Sequence, residues 1–172
     1  NQARLSAMGL PQVTVVHGNA TAGGAYQPGL SDYMVVVRNK TAMFLAGPPL
    51  LKAATGEVAT EEELGGAAMH AQVAGTAEYL AENDADGIRQ ARDIVGMLGW
   101  DKIANTTSYA EPRFPIDDIL GLIPCDLRKP YDVRSIIACL VDDSNFLDFK
   151  TEFDNQTVCG WASIGNVTIG II

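Results

Sequence analysis

Positive charge is scarce in this chain: 12 lysines and arginines stand against 21 aspartates and glutamates, a formal net charge of −9. A phosphate backbone is held by a local excess of cations, which no segment here supplies, so the balance argues against a nucleic-acid surface. Cysteines number 3, an odd count. Cys125, Cys139 and Cys159 are spaced like neither a zinc site nor a small disulfide framework, and a reducing compartment is the simpler reading. The 2 histidines, His17 and His70, have no second ligand one helical turn away, so no metal is expected. No apolar run approaches the roughly 20 residues of a membrane span, and no basic start with an apolar core marks a secretory signal. Also missing are a nucleophile-base-acid constellation, a catalytic carboxylate pair, and a glycine-rich phosphate loop ending in Lys-Ser or Lys-Thr.

What remains is ordinary globular composition, 47% hydrophobic and 19% charged over 172 residues, enough for a real core and against disorder. The chain is organised around Val13 to Tyr26. Val13-Thr14-Val15-Val16 is stiff and β-prone, and its unbroken apolar character predicts a core strand buried on both faces. Gly23-Gly24 then removes two side chains in succession. That permits positive φ and lets a ligand approach the backbone amides. A helix starting near Ala25 would point its positive end at the same place, where an oxyanion could develop. A plain strand-to-helix turn would carry the same residues. His17, at the end of the strand, could hold a general base but has no carboxylate nearby in sequence.

The flanking segments read as scaffold. Asn1 to Gly9 resembles the end of a helix stopped by Gly9 and Pro11. Met34 to Arg38 and Ala42 to Leu45 are two short strands joined at Asn39-Lys40, and Gly47-Pro48-Pro49 ends the second as a stiff wall or a surface turn. Thr60 with Glu63 forms a capping box for a short helix that Gly65-Gly66 ends, two glycines that could allow close approach across a subunit contact. His70, among small residues, is expected to be a satisfied interior histidine. Asn83 or Asp84 caps a helix whose Ile88, Ala91, Ile94, Val95 and Leu98 share one face, with Gly99 beyond it. From Trp100 to Pro115 periodicity is lost, marking a boundary. Asp132 caps a helix packing by Val133, Ile136, Ile137, Leu140 and Val141, and Gly165-Asn166 is a hairpin signal opening a new sheet. Lys52, Arg38, Lys40, Arg128 and Lys129 are available to an anionic ligand, and each reads equally as a solvated charge.

Three long motifs in order, TAGGAYQPGLSDY, FLAGPPLLKAATGE and EELGGA, followed by the stretch from Glu111 to Phe149, resemble the carboxyltransferase β subunits of biotin-dependent acyl-CoA carboxylases. AGPPLLKAATGEVATEEELGGA is most similar to the branch acting on 3-methylcrotonyl-, geranyl- or long-chain acyl-CoA. The resemblance implies an α/β, crotonase-like fold, with 1–110 the end of one carboxyltransferase domain and 111–172 a linker and the beginning of the next. It implies an enolate oxyanion held by the amides of Gly23 and Gly24, with Ala25 as the alternative donor. Tyr26, Gly47 and Pro48 would lie against the substrate. It further implies biotin carried by a partner, a biotin carboxylase and carrier subunit, a homo-oligomer of β subunits, a hexamer, and a cytoplasmic or mitochondrial-matrix location. A biotin-dependent decarboxylase would share these features, and a crotonase-type hydratase or isomerase would need an acid or base such as Glu57. The chain has no starter Met and stops in mid-strand, so it is expected to be an internal excerpt holding half a site.

Overall fold

A computed structural model describes residues 1–98, 108–126 and 128–172. Two units form: Asn1–Val95 with Lys150–Asn155, and Gly96–Phe149 with Gln156–Ile172.

The first unit runs α1 (Gln2–Ala7), β1 (Val13–Val16), β2 (Asn19–Thr21), α2 (Gly23–Gly29), β3 (Tyr33–Val37), β4 (Ala42–Phe44), α3 (Pro48–Thr55), α4 (Glu61–Gly65), a π-turn (Met69–Val73), β5 (Tyr79–Ala81) and α5 (Asp84–Met97). Strands alternate between two parallel sheets, β1-β3-β5 and β2-β4. The most buried strand is β3, whose Val35, Val36 and Val37 are fully buried, rather than β1, where only Val16 is buried. Both strands are β-branched runs, and only pairing decides between them: β3 lies between two neighbours, whereas β1 pairs with β3 alone among the described strands. One side of this arrangement gathers Val16, Ala25, Met34, Val36, Met43, Ala67, Ala71 and Ala77 into a core. Gly87 explains how α5 comes so near the sheet. A Cβ there would sit 3.1 Å from Val15 and 3.3 Å from Val37, so a glycine at mid-helix permits the approach.

Local signals account for the helix ends, with corrections. Asn83 caps α5, accepting from the Asp86 N–H at 3.0 Å. Its buried residues are Gly87 and Ile94, while Ile88 and Val95 of the expected face are 51% and 41% exposed. The expected stop at Gly99 lies outside the described residues. Pro48-Pro49 does not merely end a strand. It opens α3, because proline at the first helical positions loses no hydrogen bond, and Gly56 closes the helix in the left-handed region at φ 80. Thr60 and Glu63 form the capping box, with Glu63 Oε2 2.8 Å from the Thr60 N–H. The two glycines after it serve contacts inside the chain: a Cβ on Gly65 would collide with the Met43 carbonyl, and Gly66 bridges to Ala42. Lys150 secures the segment 150–155 by donating to the Gly75 carbonyl at 2.5 Å.

The second unit contains a 3₁₀ turn (Ile116–Asp118), α6 (Ile119–Leu122), α7 (Arg134–Ala138), a second 3₁₀ turn (Asp142–Ser144), β6 (Phe146–Phe149), β7 (Cys159–Ile164) and β8 (Val167–Ile171). These strands form an antiparallel sheet β6-β7-β8, and Gly165 (φ 60) with Asn166 (φ 65) makes the two-residue hairpin turn. Ile137, Val141 and Ala162 form its core. Helix α7 is shorter than its periodicity suggested, and Val133 and Leu140 are exposed, so only part of the expected face packs.

Candidate active site

Thr41 fixes the end of β1 to the turn after β3. It is buried, donates to the Val16 carbonyl at 2.5 Å and accepts from the Val37 N–H at 2.9 Å. Beyond β1, β2 leads into an abrupt strand-to-helix elbow. The residue that turns the chain is Ala22, at φ 51 and ψ −117, and neither Gly23 nor Gly24 has positive φ. The sequence suggested glycine would take the strained conformation, but the reversal occurs one residue earlier. Backbone bonds hold it there: the Ala22 N–H donates to the Phe44 carbonyl, and the Ala25 N–H to the Ala22 carbonyl, both at 3.1 Å.

This changes what the glycines are for. A Cβ built on Gly23 or Gly24 meets nothing within 4 Å, so neither conformation nor packing among the described residues requires glycine. Their N–H groups are the first two of α2, which has no side-chain cap, and such amides have no acceptor within the helix. With Ala25 N–H engaged in the elbow, Gly23 and Gly24 present the open donors among the described residues of this turn. The helix has 7 residues and contains Pro28, so these amides act as local donors more than through a macrodipole.

Two clefts flank α2. A mixed one of about 720 Å³ is lined by Thr14, Val15, His17, Asn19, Gly24 and Gln27 among others. An apolar one of about 520 Å³ is lined by Ala25, Tyr26, Leu30, Met43, Leu45 and Leu51 among others. Gly24 is therefore brought to one wall, and Ala25 and Tyr26 to the other. Gly47 and Pro48 line neither, although a Cβ on Gly47 would touch the ring of Phe44, which does line the apolar cleft, at 3.2 Å.

His17 has the carboxylate that its sequence neighbourhood lacked. Its Nδ1 lies 3.6 Å from Asp84 Oδ1, too far for a hydrogen bond, and both side chains are about half exposed. Lys40 hydrogen-bonds Asp84 at 2.5 Å and holds its carboxyl below the usual carboxylate range. Asp84 arrives from the start of α5, a proximity that only parallel pairing of β3 with β5 creates. His70 is the satisfied interior histidine expected, with Nε2 2.7 Å from the Met43 carbonyl and Nδ1 2.8 Å from Thr76 Oγ1. Three of the five candidate cations are committed locally: Arg38 to Glu82, Lys40 to Asp84 and Arg128 to Asp126. Among the described residues no group of three His, Cys, Asp or Glu could hold a metal ion, and no helix is long and apolar enough to cross a membrane.

Known proteins match this chain along its length. The carboxyl transferase domain matches residues 1–172. A probable biotin-dependent acyl-coenzyme A carboxylase beta2 subunit of Mycobacterium tuberculosis is 46% identical over 98% of this chain and 32% of its own length. Among solved structures, the beta subunit of Pseudomonas aeruginosa geranyl-CoA carboxylase is similar at 64% identity, covering 98% of this chain and 32% of that one, with a TM-score of 0.55. Transcarboxylase 12S, whose structure is described as a hexamer assembly with hydrolysed methylmalonyl-coenzyme A bound, matches at 29% identity over 93% of this chain and 32% of that one, with a TM-score of 0.79. The chain thus spans about a third of the length of its relatives. Its mixture of helices and parallel strands is that of a carboxyltransferase, in keeping with a crotonase-like fold. By the match over its whole length, the chain belongs to the carboxyl transferase domain family.

Proposed function

We propose that this chain is part of the carboxyltransferase component of a biotin-dependent acyl-CoA carboxylase, and that the amides of Gly23 and Gly24 stabilise the enolate oxygen of the acyl-CoA thioester. The observation that carries the reading is the elbow: two glycines that neither φ nor packing among the described residues demands, with N–H groups left open at the start of α2 and Gly24 lining one of the two clefts that flank it. Removing a proton from the acyl carbon moves charge onto the thioester oxygen. Fixed backbone donors favour that charge without reorganising when it forms. Glycine at both positions keeps side chains out of the oxygen's approach. Tyr26, Gly47 and Pro48 belong to the same substrate side in this reading.

Carboxybiotin, carried by a partner subunit, supplies carbon dioxide and a basic ureido group. The described residues offer the acyl-CoA side of such a site, and no donor set here is assigned to biotin. The scarcity of side-chain acids and bases at the elbow follows, because this chain needs only to bind, orient and stabilise. The same reading places 1–110 at the end of one carboxyltransferase domain and 111–172 at the start of the next. It places the complete protein in a hexamer with a biotin carboxylase partner, in the cytoplasm or mitochondrial matrix. The similarity to geranyl-CoA carboxylase supports the branch that takes branched or long acyl-CoA.

The test uses the complete subunit with its biotin-carrying partner. ATP-dependent fixation of labelled bicarbonate should require an acyl-CoA. Absence of fixation together with hydration of an enoyl-CoA would replace this reading with hydratase chemistry.

A further inference from the structure

We propose that His70 is a positioning residue for the oxyanion site: its ring, oriented by Thr76, donates to the Met43 carbonyl and so fixes the strand that holds the Ala22 elbow. This rests on the carboxyltransferase reading and adds to it a residue that acts through the backbone.

The elbow is only as well placed as β4. Ala22, strained at φ 51 and ψ −117, donates its N–H to the Phe44 carbonyl at 3.1 Å, and Gly23 and Gly24 follow it directly. As an anchor β4 is short: its three residues, Ala42–Phe44, pair with β2 alone among the described strands. A ladder of that length holds its position weakly by itself. Met43 is buried at its middle, next to Phe44, and a buried carbonyl needs a donor. His70 Nε2, 2.7 Å away, is that donor. Gly65 faces the same carbonyl, where any Cβ would collide with it. Bare backbone and imidazole together confine the Met43 peptide, one residue from the carbonyl that holds the elbow.

The surroundings of His70 serve this one bond. A carbonyl can only accept, so the neutral ring carries its hydrogen on Nε2 and leaves Nδ1 as an acceptor. Thr76 Oγ1, 2.8 Å from Nδ1, donates there and selects that tautomer. The chain winds back on itself to bring Thr76 into place. His70 stands in the π-turn, and its own carbonyl accepts from the Thr76 and Ala77 N–H groups at 2.9 and 3.2 Å. Such turns are rare and occur most often at functional sites. Lys150 fastens the same loop through its bond to the Gly75 carbonyl. A residue that merely filled the interior would need none of this.

The experiment follows ATP-dependent fixation of labelled bicarbonate by the complete subunit with its biotin-carrying partner, separating kcat from KM for 3-methylcrotonyl-CoA and geranyl-CoA. His70→Leu keeps bulk and loses the donor. Its kcat should fall on the order of 10- to 100-fold, the scale of a lost orienting contact, while KM stays within about threefold, because the oxyanion forms only on the way to the transition state. His70→Gln offers an amide N–H near the place of Nε2 and should return kcat to within about threefold of the wild type. If His70→Leu does not assemble, the exposed Thr76 decides: Thr76→Val should lower kcat roughly fivefold and Thr76→Ser should retain it. Equal kcat in the assembled Leu and Gln variants, or in Thr76→Val and Thr76→Ser, overturns the inference, as does a loss carried by KM, which would make His70 a substrate contact. A wild-type enzyme that fixes no bicarbonate with either thioester refutes the carboxyltransferase reading itself, and the inference falls with it.

Discussion

At Gly165-Asn166 both residues are left-handed and their two N–H groups donate to the Asp142 carboxylate, at 2.8 and 2.7 Å; at Ala22-Gly23-Gly24 only the alanine is left-handed and no side chain caps the glycine amides. The hairpin turn uses glycine for conformation and spends its donors on structure. The elbow places the strain on Ala22 and keeps its glycine donors open. A glycine-containing turn is thus informative about function through what its amides bond, more than through its composition.

The largest difference between the two turns should appear on placing a β-branched side chain in the elbow. Gly24→Val in the complete enzyme should lower turnover roughly a hundred- to a thousand-fold, the usual cost of spoiling an oxyanion donor. Thermal stability should hold, since a Cβ at Gly24 meets nothing within 4 Å. His17→Ala, measured beside it, should change turnover far less, because no step assigned here moves a proton through that ring. At the hairpin the consequence should fall on stability. Asp142→Ala strips the shared acceptor from two amides and should cost about 1 kcal/mol after allowing for exposure, seen as a melting temperature lower by roughly 2–4 °C with kinetics retained.

Ala22→Gly sharpens the contrast. Relief of a strained alanine, about 1–2 kcal/mol, is offset by the entropy glycine loses on folding, about 0.5–1 kcal/mol, so melting should stay level or rise slightly. Turnover should fall if the strain is what aims the amides. The smallest effect concerns the corner beside the hairpin, where Asp143 and Ser144 are left-handed at φ 53 and 52 and Arg113 grips Asp143 at 2.7 and 2.9 Å. Arg113 holds the Asp143 carboxyl below the usual carboxylate range. Because the folded value is depressed, its stabilisation is present above the unfolded value and is lost as pH falls through the folded one. Acid melting curves below about pH 4 should therefore be shallower in Arg113→Ala than in the wild type.

What the sequence revealed was what neighbours along the chain decide. The hairpin at Gly165-Asn166, the Thr60-Glu63 capping box and the Asn83 cap all act within a few residues. The greater depth of β3 over β1 was hidden, because both are β-branched runs and only the order of strands in the sheet distinguishes them. The approach of Asp84 to His17 was hidden for the same reason, since parallel pairing brings distant segments together. Pro48-Pro49 was misread although its signal was local: proline at the start and Gly56 at the end mark a helix as well as they mark a turn. At the site, Gly23 and Gly24 could be found in the sequence, whereas Ala22's conformation and the engaged Ala25 amide required coordinates.

Replacing the Gly24 amide with an ester, by incorporating glycolic acid at that position of the complete enzyme, removes one N–H and leaves the side-chain space unchanged. Turnover with acyl-CoA should drop roughly a hundred- to a thousand-fold while the partner's biotin carboxylase half-reaction continues. Turnover within about threefold of the wild type would contradict the assignment of the thioester oxyanion to this amide.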